Sequence, residues 1–530
     1  MSRKLLSRSS EFLGVDQKVW LALEVGGFGV EGTDVVPADA GAVDFNSANI
    51  TFNIPREDSP SKSGRSVVAR LSGKKEVEVA VEAMIIPGTP DVLGNPTLPP
   101  MHPLILTAFG EVDLTNPAEI VYKLSRFNGN SARILEETTH FSRLAVGVIM
   151  DKLTFTLPGD DKAMMAMEGF AQDAFFAGCT NLAQALTGAE QLASLILQDL
   201  TYTALVTSGI NGNLISIEYT AGGTAGAEVV TVVGNAISVS IDTGVSTATQ
   251  IETAINGSAP ALALITVAVS GVGGTAQVAV VPTKLTGGLG PNDLKVDAGQ
   301  GILFEVDSYI DVIDVADGNT ITSQQKKVVA VNGYAVPGQP ALGNEDIVTV
   351  DGAALAVAVI GDFVTGHAPE TYDPLTSETA LLGLKGTLTI PGVSTTDCEL
   401  ITAEISITNN YTKKDFLYGT SRMCGFIPDK RRSVEVKLDL ILSRANLEFY
   451  ARNKCFVAEE VTLTLEPQDI CAPAYASSVG RTFEFYMPKV EFNIPAIENP
   501  TDSYVTLSLE GIALAPSSAN LDEEYTLTIK

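Results

Sequence analysis

The sequence predicts a mainly β protein of several domains, in which one β domain occurs twice. Three observations lead to this prediction: the length, the frequent alternation of apolar and polar residues, and a repeated block of sequence. At 530 residues, the chain can hold about three or four domains of ordinary size. Apolar residues make up 45% of it and charged residues 18%, which is typical of a folded chain rather than a disordered one.

Alternating segments mark the predicted strands, because successive side chains of a strand point to opposite faces of its sheet. The clearest segments are 19–25, 50–54, 77–85, 152–157, 461–465 and 504–509. Helical patterns are fewer and cover 102–109, 181–197, 247–256 and 445–452. The third of these has a start signal, since Thr247 and Gln250 fit a capping box.

A first repeated block joins two distant parts of the chain. Lys74–Glu82 reappears as Arg431–Asp439, an offset of 357 (431 − 74). The same offset, without a gap, matches Ala48, Ile50 and Ile54 with Ile405, Ile407 and Tyr411. Two strands and the polar arm that joins them are therefore predicted to occur twice.

A second repeated block follows the first in the same order. Lys152–Pro158 resembles Lys489–Pro495, and Met167–Phe170 then corresponds to Leu509–Ile512. Each copy also holds a short helical pattern between its two blocks. Order, spacing and residue type agree, so we predict two copies of one β domain.

The domain organisation follows from the repeat. The predicted parts are an N-terminal arm (1–14), copy one (15–198), an inserted β-rich decoration domain (199–290), a β-rich connector (291–368), and copy two with a C-terminal extension (369–530). The insert differs in composition, because no Lys or Arg occurs between Thr201 and Val281. We expect removal of Thr201–Leu289 to leave the rest of the fold intact.

Charge and cysteine content exclude several classes of function. The chain has 63 acidic and 34 basic side chains and a formal charge of −29, which disfavours tight binding to nucleic-acid phosphates. The five cysteines include no C-x-x-C pair, so neither a disulfide framework nor a zinc site is indicated. Met1–Arg8 lacks the apolar core of a secretory signal, and the apolar runs are too short for membrane insertion.

The residues that could carry chemistry favour a non-enzymatic protein. Gly27–Gly32 matches a dinucleotide-binding loop but is followed by an extended, Pro-containing stretch instead of a helix. The histidines are far apart, and the acidic residues near Gly318 lack the spacing of an EF-hand loop, so surface carboxylates are expected there. These two sets are His102, His140 and His367, and Asp307, Asp311, Asp314 and Asp317. We predict no catalytic residue, no cofactor and no metal site.

Basic residues recur at the base of the same strand in both copies. They are Lys74 and Lys75 in the first copy and Lys430, Arg431 and Arg432 in the second. Two interpretations are open: solvated strand ends, or salt bridges to acidic residues of a neighbouring subunit.

The second copy resembles the tail tube proteins, or major tail proteins, of long-tailed bacteriophages. The resemblance is carried by residues 403–410, 418–426, 428–436 and 487–492. In that family, a β-sandwich-like domain adds a long hairpin to a continuous barrel, and rings stack into a hollow tube. The resemblance implies homotrimeric rings of the doubled chain, made in the host cytoplasm as part of the virion. It also implies tape measure, tail terminator and baseplate proteins as partners, with DNA passing through the lumen during ejection.

Alternation predicts which side chains line such a channel. Val434, Val436 and Leu438 are expected to pack on the domain core, which leaves Glu435, Lys437 and Asp439 on the other face. The first copy has Glu76, Glu78, Ala80 and Glu82 in that register. The predicted lining is therefore Glu76, Glu78, Glu82, Glu435 and Asp439.

Three alternatives belong to other classes. The first is another virion structural protein, and the second is a secreted or surface β-rich adhesin whose binding part is the insert. The third is a β-rich glycosidase, which would need paired carboxylates among aromatic platforms. The single tryptophan, Trp20, and an aromatic content of 6% argue against the third.

Overall fold

The computed structural model describes most of the chain in two compact units. The described residues are 17–24, 42–53, 56–60, 67–72, 75–125, 129–138, 141–159, 161–205, 211–315, 320–333, 345–367, 381, 386–391, 400–413, 426–443, 447, 452, 457–467, 480–494, 496–498, 504–518 and 520–530. The flanking unit comprises Leu13–Glu137, Arg143–Ala174 and Pro369–Lys530. The mid-chain unit comprises Met1–Phe12, Thr138–Ser142 and Phe175–Ala368. The predicted mainly β, multi-domain fold is confirmed.

The elements before the mid-chain segment are mostly strands. They are β1 (Lys18–Leu23), β2 (Ser47–Asn53), β3 (Arg56–Pro60), β4 (Val67–Ser72), β5 (Glu76–Met84), α1 (His102–Phe109), β6 (Gly110–Asp113), β7 (Ile120–Leu124), β8 (Ala132–Glu137), β9 (Phe141–Pro158), β10 (Met164–Ala171) and β11 (Asp173–Gly178).

The mid-chain elements include two further helices. They are β12 (Thr180–Asn181), β13 (Ser194–Leu197), β14 (Leu200–Ala204), β15 (Ser216–Ala221), β16 (Val229–Val233), β17 (Ala236–Ile241), α2 (Ala248–Asn256), α3 (Ala259–Leu262), β18 (Ile265–Val269), β19 (Val280–Lys284), β20 (Asp293–Lys295), a 3-10 turn (Gly301–Leu303), β21 (Tyr309–Asp314), β22 (Thr320–Val331), β23 (Ile347–Val350) and β24 (Phe363–Gly366).

Ten strands follow in the last part of the chain. They are β25 (Gly386–Thr389), β26 (Leu400–Thr408), β27 (Tyr411–Lys413), β28 (Phe426–Pro428), β29 (Ser433–Ile441), β30 (Glu459–Leu465), β31 (Phe483–Phe492), β32 (Ala496–Glu498), β33 (Thr506–Ala513) and β34 (Thr526–Ile529).

Eight strands of a larger antiparallel sheet follow one another in the flanking unit in the order β2-β5-β10-β9-β26-β29-β33-β31, and we call them the eight-stranded sheet. Strand β31 also pairs with β30 and β34. Strand β32 continues along β33 beyond the end of β31. Each half of the sheet also has a hairpin that continues one strand pair, β3–β4 beyond β2–β5 and β27–β28 beyond β26–β29. The first four strands lie in predicted copy one and the last four in predicted copy two.

One face of this sheet packs on the core of the flanking unit. Val79 and Val436 are each 2% exposed, and Phe155 and Phe485 meet edge to face at 5.1 Å between ring centroids. Helix α1 closes the first part of the core with Leu104 and other buried side chains. Alternation of apolar and polar residues along every strand thus separates a buried face from an outer face.

Strands β5 and β10 pair in the same register as β29 and β33. Val79 lies opposite Gly169, and Val436 lies opposite Gly511. The offsets are 357 between β5 and β29 (436 − 79) and 342 between β10 and β33 (511 − 169). This shared register supports the duplication, whose domain boundaries stay a prediction.

An irregularity recurs at the next strand pair. The pairing of β9 with β10 changes register by one residue beside Gly169. Strands β31 and β32 pair with β33 in succession, and the register changes by one residue between them. The equivalent pairs, at an offset of 342, are Met150–Gly169 with Phe492–Gly511 and Thr154–Ala166 with Ala496–Ser508. A β-bulge of this kind bends the strand locally, so both halves of the sheet bend at the same place.

Two residue matches drawn from the sequence are wrong in register. Because β9 aligns with β31 and β32 at 342, the match of Lys152–Pro158 to Lys489–Pro495 at 337 (489 − 152) is five residues out. Ile50 corresponds to Ile405, an offset of 355 (405 − 50), and not to Ile407. A strand pattern repeats every two residues, so sequence alone fits both Ile405 and Ile407 to Ile50, and only the paired neighbours select one.

The mid-chain unit contains two hydrophobic cores. Strands β13, β14 and β18, strands β15–β17 and β19, and helices α2 and α3 surround the first core. The predicted capping box is confirmed, since Thr247 accepts from the backbone of Gln250 and the Gln250 side chain accepts from the backbone of Thr247. Strands β12 and β20–β24 surround the second core. The predicted insert and connector therefore fall in the same unit.

The predicted helix over 181–197 is wrong. Strands β12 and β13 occupy its two ends, and backbone bridges join Leu182 to Val296 and Leu186 to Ala358. Gly188, in the middle, has φ +71°, which interrupts a right-handed helix. Long-range strand pairing therefore outweighs the helical spacing of the apolar residues. In the predicted helix 445–452, most residues lie outside the described part of the chain.

Candidate functional site

The outer face of the eight-stranded sheet is an acidic surface, which we call the acidic face. Residues directly opposite each other on paired strands share a face, so the pairings assign each side chain. Among the side chains that the structure describes, nine carboxylates lie on it: Glu76, Glu78, Glu82, Glu168, Glu404, Glu435, Asp439, Glu491 and Glu510. The described basic side chains in the same alternation are Lys152, Lys437 and Lys489.

All five predicted lining residues lie on the acidic face. Glu76, Glu78 and Glu82 project from β5, and Glu435 and Asp439 from β29. Four strand spacings, roughly 19 Å, separate the two groups across β10, β9 and β26. The structure therefore places them on one surface but not in one cluster, and their role in a channel stays a prediction.

Sequence reasoning missed four carboxylates of this face. Glu168 and Glu510 lie opposite Ala80 and Lys437, and they occupy the same position in the two copies. Both are the second residue of a repeated motif, Met167–Phe170 and Leu509–Ile512. Glu404 and Glu491 complete the set. The strand alternation that identified Glu435 would have identified Glu168 and Glu510 if it had been applied to the second repeated block.

The two lysines on paired strands of the acidic face are flanked by acids. Lys437 lies opposite Glu404 on one side and Glu510 on the other, and Lys152 lies opposite Glu168. Cross-strand pairs of opposite charge stabilise a sheet by about 0.2–1 kcal/mol each. The positive charges are therefore compensated locally, and the surface keeps an excess of carboxylates.

A groove of about 420 Å³ opens on the acidic face near β5 and β9. Glu78, Lys152, Glu168 and Phe170 are among its lining residues. At its floor, partial burial raises the pKa of Asp151 above its usual value, although the Tyr411 backbone N–H donates to that carboxylate at 2.7 Å. The groove is polar and open, as expected for a solvated concavity.

Two of the predicted contact residues form ion pairs within the chain. The Lys75 ammonium lies 3.3 Å from Asp173 and also contacts the Ala174 carbonyl. Arg432 donates to Glu524 at 2.8 Å and lies 3.3 Å from Asp522. Both pairs lie at strand ends, and the Lys75 and Arg432 side chains are only 18% and 14% exposed.

The remaining predicted contact residues divide into two cases. Lys430 and Arg431 are exposed, while Lys74 lies outside the described residues. A role for any of the five residues between subunits stays a prediction.

The free side of β2 is covered by polar side chains of the same chain. Arg143 donates to the Ile50 carbonyl at 2.6 Å, and Gln17 donates to the Ala48 carbonyl at 2.8 Å. Glu136 holds both donors in place, since it accepts from Arg143 at 2.7 Å and from Gln17 at 2.8 Å. Side chains thus satisfy carbonyls that a further strand would otherwise bond.

The expected surface position of Asp311 is wrong. Its side chain is fully buried, and its Oδ1 lies 2.8 Å from Nδ1 of His367, a side chain that is 5% exposed. Strand β21 supplies Asp311, and His367 directly follows β24, which pairs with β21. A repeated Asp spacing in the sequence could not show this, because the strand pairing is what removes one of the four carboxylates from water.

The other candidates for chemistry give no site. His102 is buried, and burial lowers its pKa to about 4, while its Nδ1 lies 2.8 Å from the Tyr122 hydroxyl. His140, Asp317 and the loop Gly27–Gly32 lie outside the described residues. Within the described ranges, no group of three or more His, Cys, Asp or Glu side chains is placed to hold a metal ion.

Two comparisons, with protein families and with curated proteins, find no match. No protein-family model matches the chain, and no curated protein matches it. Among the described residues, no helix combines the length and the apolar character needed to cross a membrane. The function is therefore inferred from the residues and geometry of the chain itself.

Proposed function

We propose that the chain is a structural virion protein that assembles into stacked rings, as the tail tube proteins it resembles do. Three chains form a ring, and the stacked rings form the hollow tail tube through which DNA passes to the host. Tape measure, tail terminator and baseplate proteins are the other partners in this proposal. The chain has no catalytic role in it.

The observation that carries the proposal is the eight-stranded sheet with its repeated register. Four strands of each copy follow one another side by side, joined between copies by β9 and β26. One face is packed on the core, and the other is exposed and polar. Strands β2 and β32 each pair with one strand among the described residues. An edge strand of this kind is a hazard for a monomer, and closure into a ring pairs both edges.

Three such sheets, closed into one barrel, would enclose a wide channel. Three chains of eight strands supply 24 strands (3 × 8). With a strand spacing of roughly 4.8 Å and a tilt of about 40°, a barrel of that number is about 48 Å across between backbones. Barrels of 16–18 strands already enclose an aqueous channel, and this width exceeds that of a DNA duplex.

The charge of the acidic face suits a conduit. Nine carboxylates against three lysines repel phosphate along the wall, so DNA moves without being held. The opposite face is apolar and committed to the core. The acidic face is therefore the one that this proposal places toward the lumen.

Electron microscopy of the purified full-length chain tests the proposal. We expect threefold rings in negative stain and tubes at higher concentration, with light scattering of the rings giving three chains. A chain that stays monomeric over the whole concentration range, or forms rings of six chains, contradicts the proposal of a doubled tube protein.

A further inference from the structure

The two halves of the eight-stranded sheet meet at one seam inside the chain. There, β9 pairs with β26 in an antiparallel register, with Thr154 opposite Ser406 and Thr156 opposite Glu404. The hydroxyls of Thr154 and Ser406 lie 3.0 Å apart. In the order of the eight-stranded sheet, β9 is the last strand of copy one, and it is thus joined to β26, the first strand of copy two.

The same two kinds of strand form the outer edges of the sheet. Strand β2, the equivalent of β26, pairs with β5 alone among the described strands. Strand β32, the equivalent of the end of β9, pairs with β33 alone among them. Each chain therefore presents one half of a seam at each end of its sheet.

The sequence offsets between the two copies show which residues of β2 and β32 are equivalent to the paired residues of β26 and β9. They therefore predict the register in which two chains would pair. Strand β2 corresponds to β26 at 355, and β9 corresponds to β31 and β32 at 342. Ser406 then becomes Thr51 (406 − 355), and Thr154 becomes Ala496 (154 + 342). In the same way, Glu404 becomes Asn49 and Thr156 becomes Glu498.

Side-chain hydrogen bonds occupy the side of β2 that faces away from β5. The carbonyls of Ala48 and Ile50 accept from Gln17 and Arg143. Their equivalents on β26, Ala403 and Ile405, are paired with β9. Side chains of the chain thus occupy β2 at the positions where the internal seam has a strand.

We propose that β2 of one chain pairs with β32 of the next copy of the same chain, with Thr51 opposite Ala496 and Asn49 opposite Glu498. The inference rests on the proposed ring. It adds which strands pair between chains, the register of that pairing, and a rearrangement of side chains at β2. Gln17 and Arg143 release the two carbonyls of β2 when the neighbouring strand binds. A heterologous contact of this kind closes a ring or continues as a helix.

Cysteine cross-linking in the full-length chain tests the register. The variant Thr51→Cys/Ala496→Cys places its two thiols opposite each other across the proposed seam, within the Cα separation that a disulfide requires. The matched control Ser47→Cys/Ala496→Cys moves one thiol four residues along β2, about 13 Å away on the same face. Within one chain, seven strand spacings, roughly 34 Å, separate β2 from the far edge.

After oxidation of assembled protein, we expect two-chain and three-chain species from the first variant on a non-reducing gel, lost on reduction. The control and the single-cysteine variants should give neither. If tubes form but cross-links appear only in the control or in no variant, the proposed register is wrong and the proposal of a tube stands. If the first variant gives cross-linked rings that never stack, the proposed seam is supported and the proposal of a tube is contradicted. A protein that stays monomeric overturns both.

Discussion

Arg143 binds three acceptors at once. Its guanidinium donates to both oxygens of Glu136 at 2.7 Å and to the Ile50 carbonyl at 2.6 Å. The Glu136 side chain is 4% exposed, so its charge depends on these donors and on Gln17. A buried carboxylate that loses its partner is left without compensation, which is costly in a low-dielectric environment.

We expect Arg143→Met to lower the free energy of unfolding by about 3 kcal/mol, because Glu136 is then buried without its cation. The double variant Arg143→Met/Glu136→Leu should recover much of that loss. Lys123→Met is the control, since the Lys123–Asp113 pair is 41% and 31% exposed and such pairs contribute about 1 kcal/mol or less. Urea unfolding measures all three. Equal losses in Arg143→Met and Lys123→Met would contradict the buried-pair argument.

His102 gives a pH-dependent term to stability. Burial lowers its pKa to about 4, whereas an unfolded chain has the ordinary value of about 6.5. The unfolded chain therefore binds more protons between these values, so stability is full above pH 6.5 and falls as the pH is lowered toward 4. We expect His102→Gln to show a shallower fall over this window. Thermal melts of both proteins from pH 4 to 7 check this, and parallel curves would refute it.

Two glycines occupy the equivalent bulge positions of the sheet. A Cβ on Gly169 would lie 2.1 Å from the Ile149 carbonyl oxygen, and one on Gly511 would lie 2.7 Å from Cδ1 of Phe492. Backbone cannot move aside as easily as a side chain. Both strands therefore need glycine, and β10 needs it more strictly.

We expect Gly169→Ala to destabilise the flanking unit by about 2–3 kcal/mol and Gly511→Ala by less. Gly129→Ala is the matched control, because a Cβ there meets no atom within 4 Å. Denaturant unfolding of the three variants measures the difference. If Gly169→Ala and Gly129→Ala unfold alike, the tight approach of β9 to β10 is not a constraint on the fold.

At the level of elements, the sequence predicted local features better than long-range ones. Helix α1, strand β30 and the capping box of α2 appear where predicted, because each depends on neighbouring residues. The helix over 181–197 and the two strand matches failed. The segment 181–197 pairs with residues more than 100 positions away, such as Val296 for Leu182. The strand matches depend on the register with neighbouring strands, such as Val79 for Ile50, and a local pattern contains no information on either pairing.

The acidic face was predictable in part for the same reason. Alternation along β5 and β29 assigns their carboxylates to one face from the sequence alone. Joining those strands into one surface required β10, β9 and β26 between them, which no local pattern shows. The cover of β2 by Arg143 and Gln17 also depends on distant segments. Sequence reasoning did not find it.

At the scale of the whole molecule, the mid-chain module around the first mid-chain core has a narrow connection. Gln191 and Leu289 exchange backbone hydrogen bonds at 2.7 and 2.9 Å where the module begins and ends. The proposed deletion Thr201–Leu289 would leave β13 without β14 and remove the buried Leu289. Deletion of 193–288 with a short Gly-Ser linker respects these bonds.

We expect the deletion of 193–288 to keep ring and tube assembly, because the eight-stranded sheet is untouched. The deletion of Thr201–Leu289 is the control and should express less soluble protein, since it opens the second mid-chain core. Negative-stain images and light scattering compare the two. Loss of all assembly in the 193–288 variant, with its flanking unit still folded by circular dichroism, would show that the module belongs to the ring.

Charge reversal on the acidic face tests the lumen assignment. We expect assembled Glu78→Lys/Glu404→Lys/Glu435→Lys protein to retain duplex DNA and to slow ejection, with binding that weakens as salt is raised. Glu252→Lys, at a partly exposed position of α2, is the control for a surface charge outside the sheet. DNA co-sedimentation with tubes and ejection rates measure the effect. Unchanged ejection in tubes of the triple variant would place the acidic face outside the channel.

The β9–β26 seam has a kinetic consequence for assembly. A ring of six equivalent domains has six seams, and in the proposed trimer three of them form during folding of single chains. Their rate is independent of protein concentration, because tethering gives the two strands a high effective concentration. Three seams between molecules remain, and two encounters followed by closure of the ring form them. The nucleation rate of rings should therefore rise with about the third power of concentration at most, whereas separate single-domain subunits would allow up to the sixth.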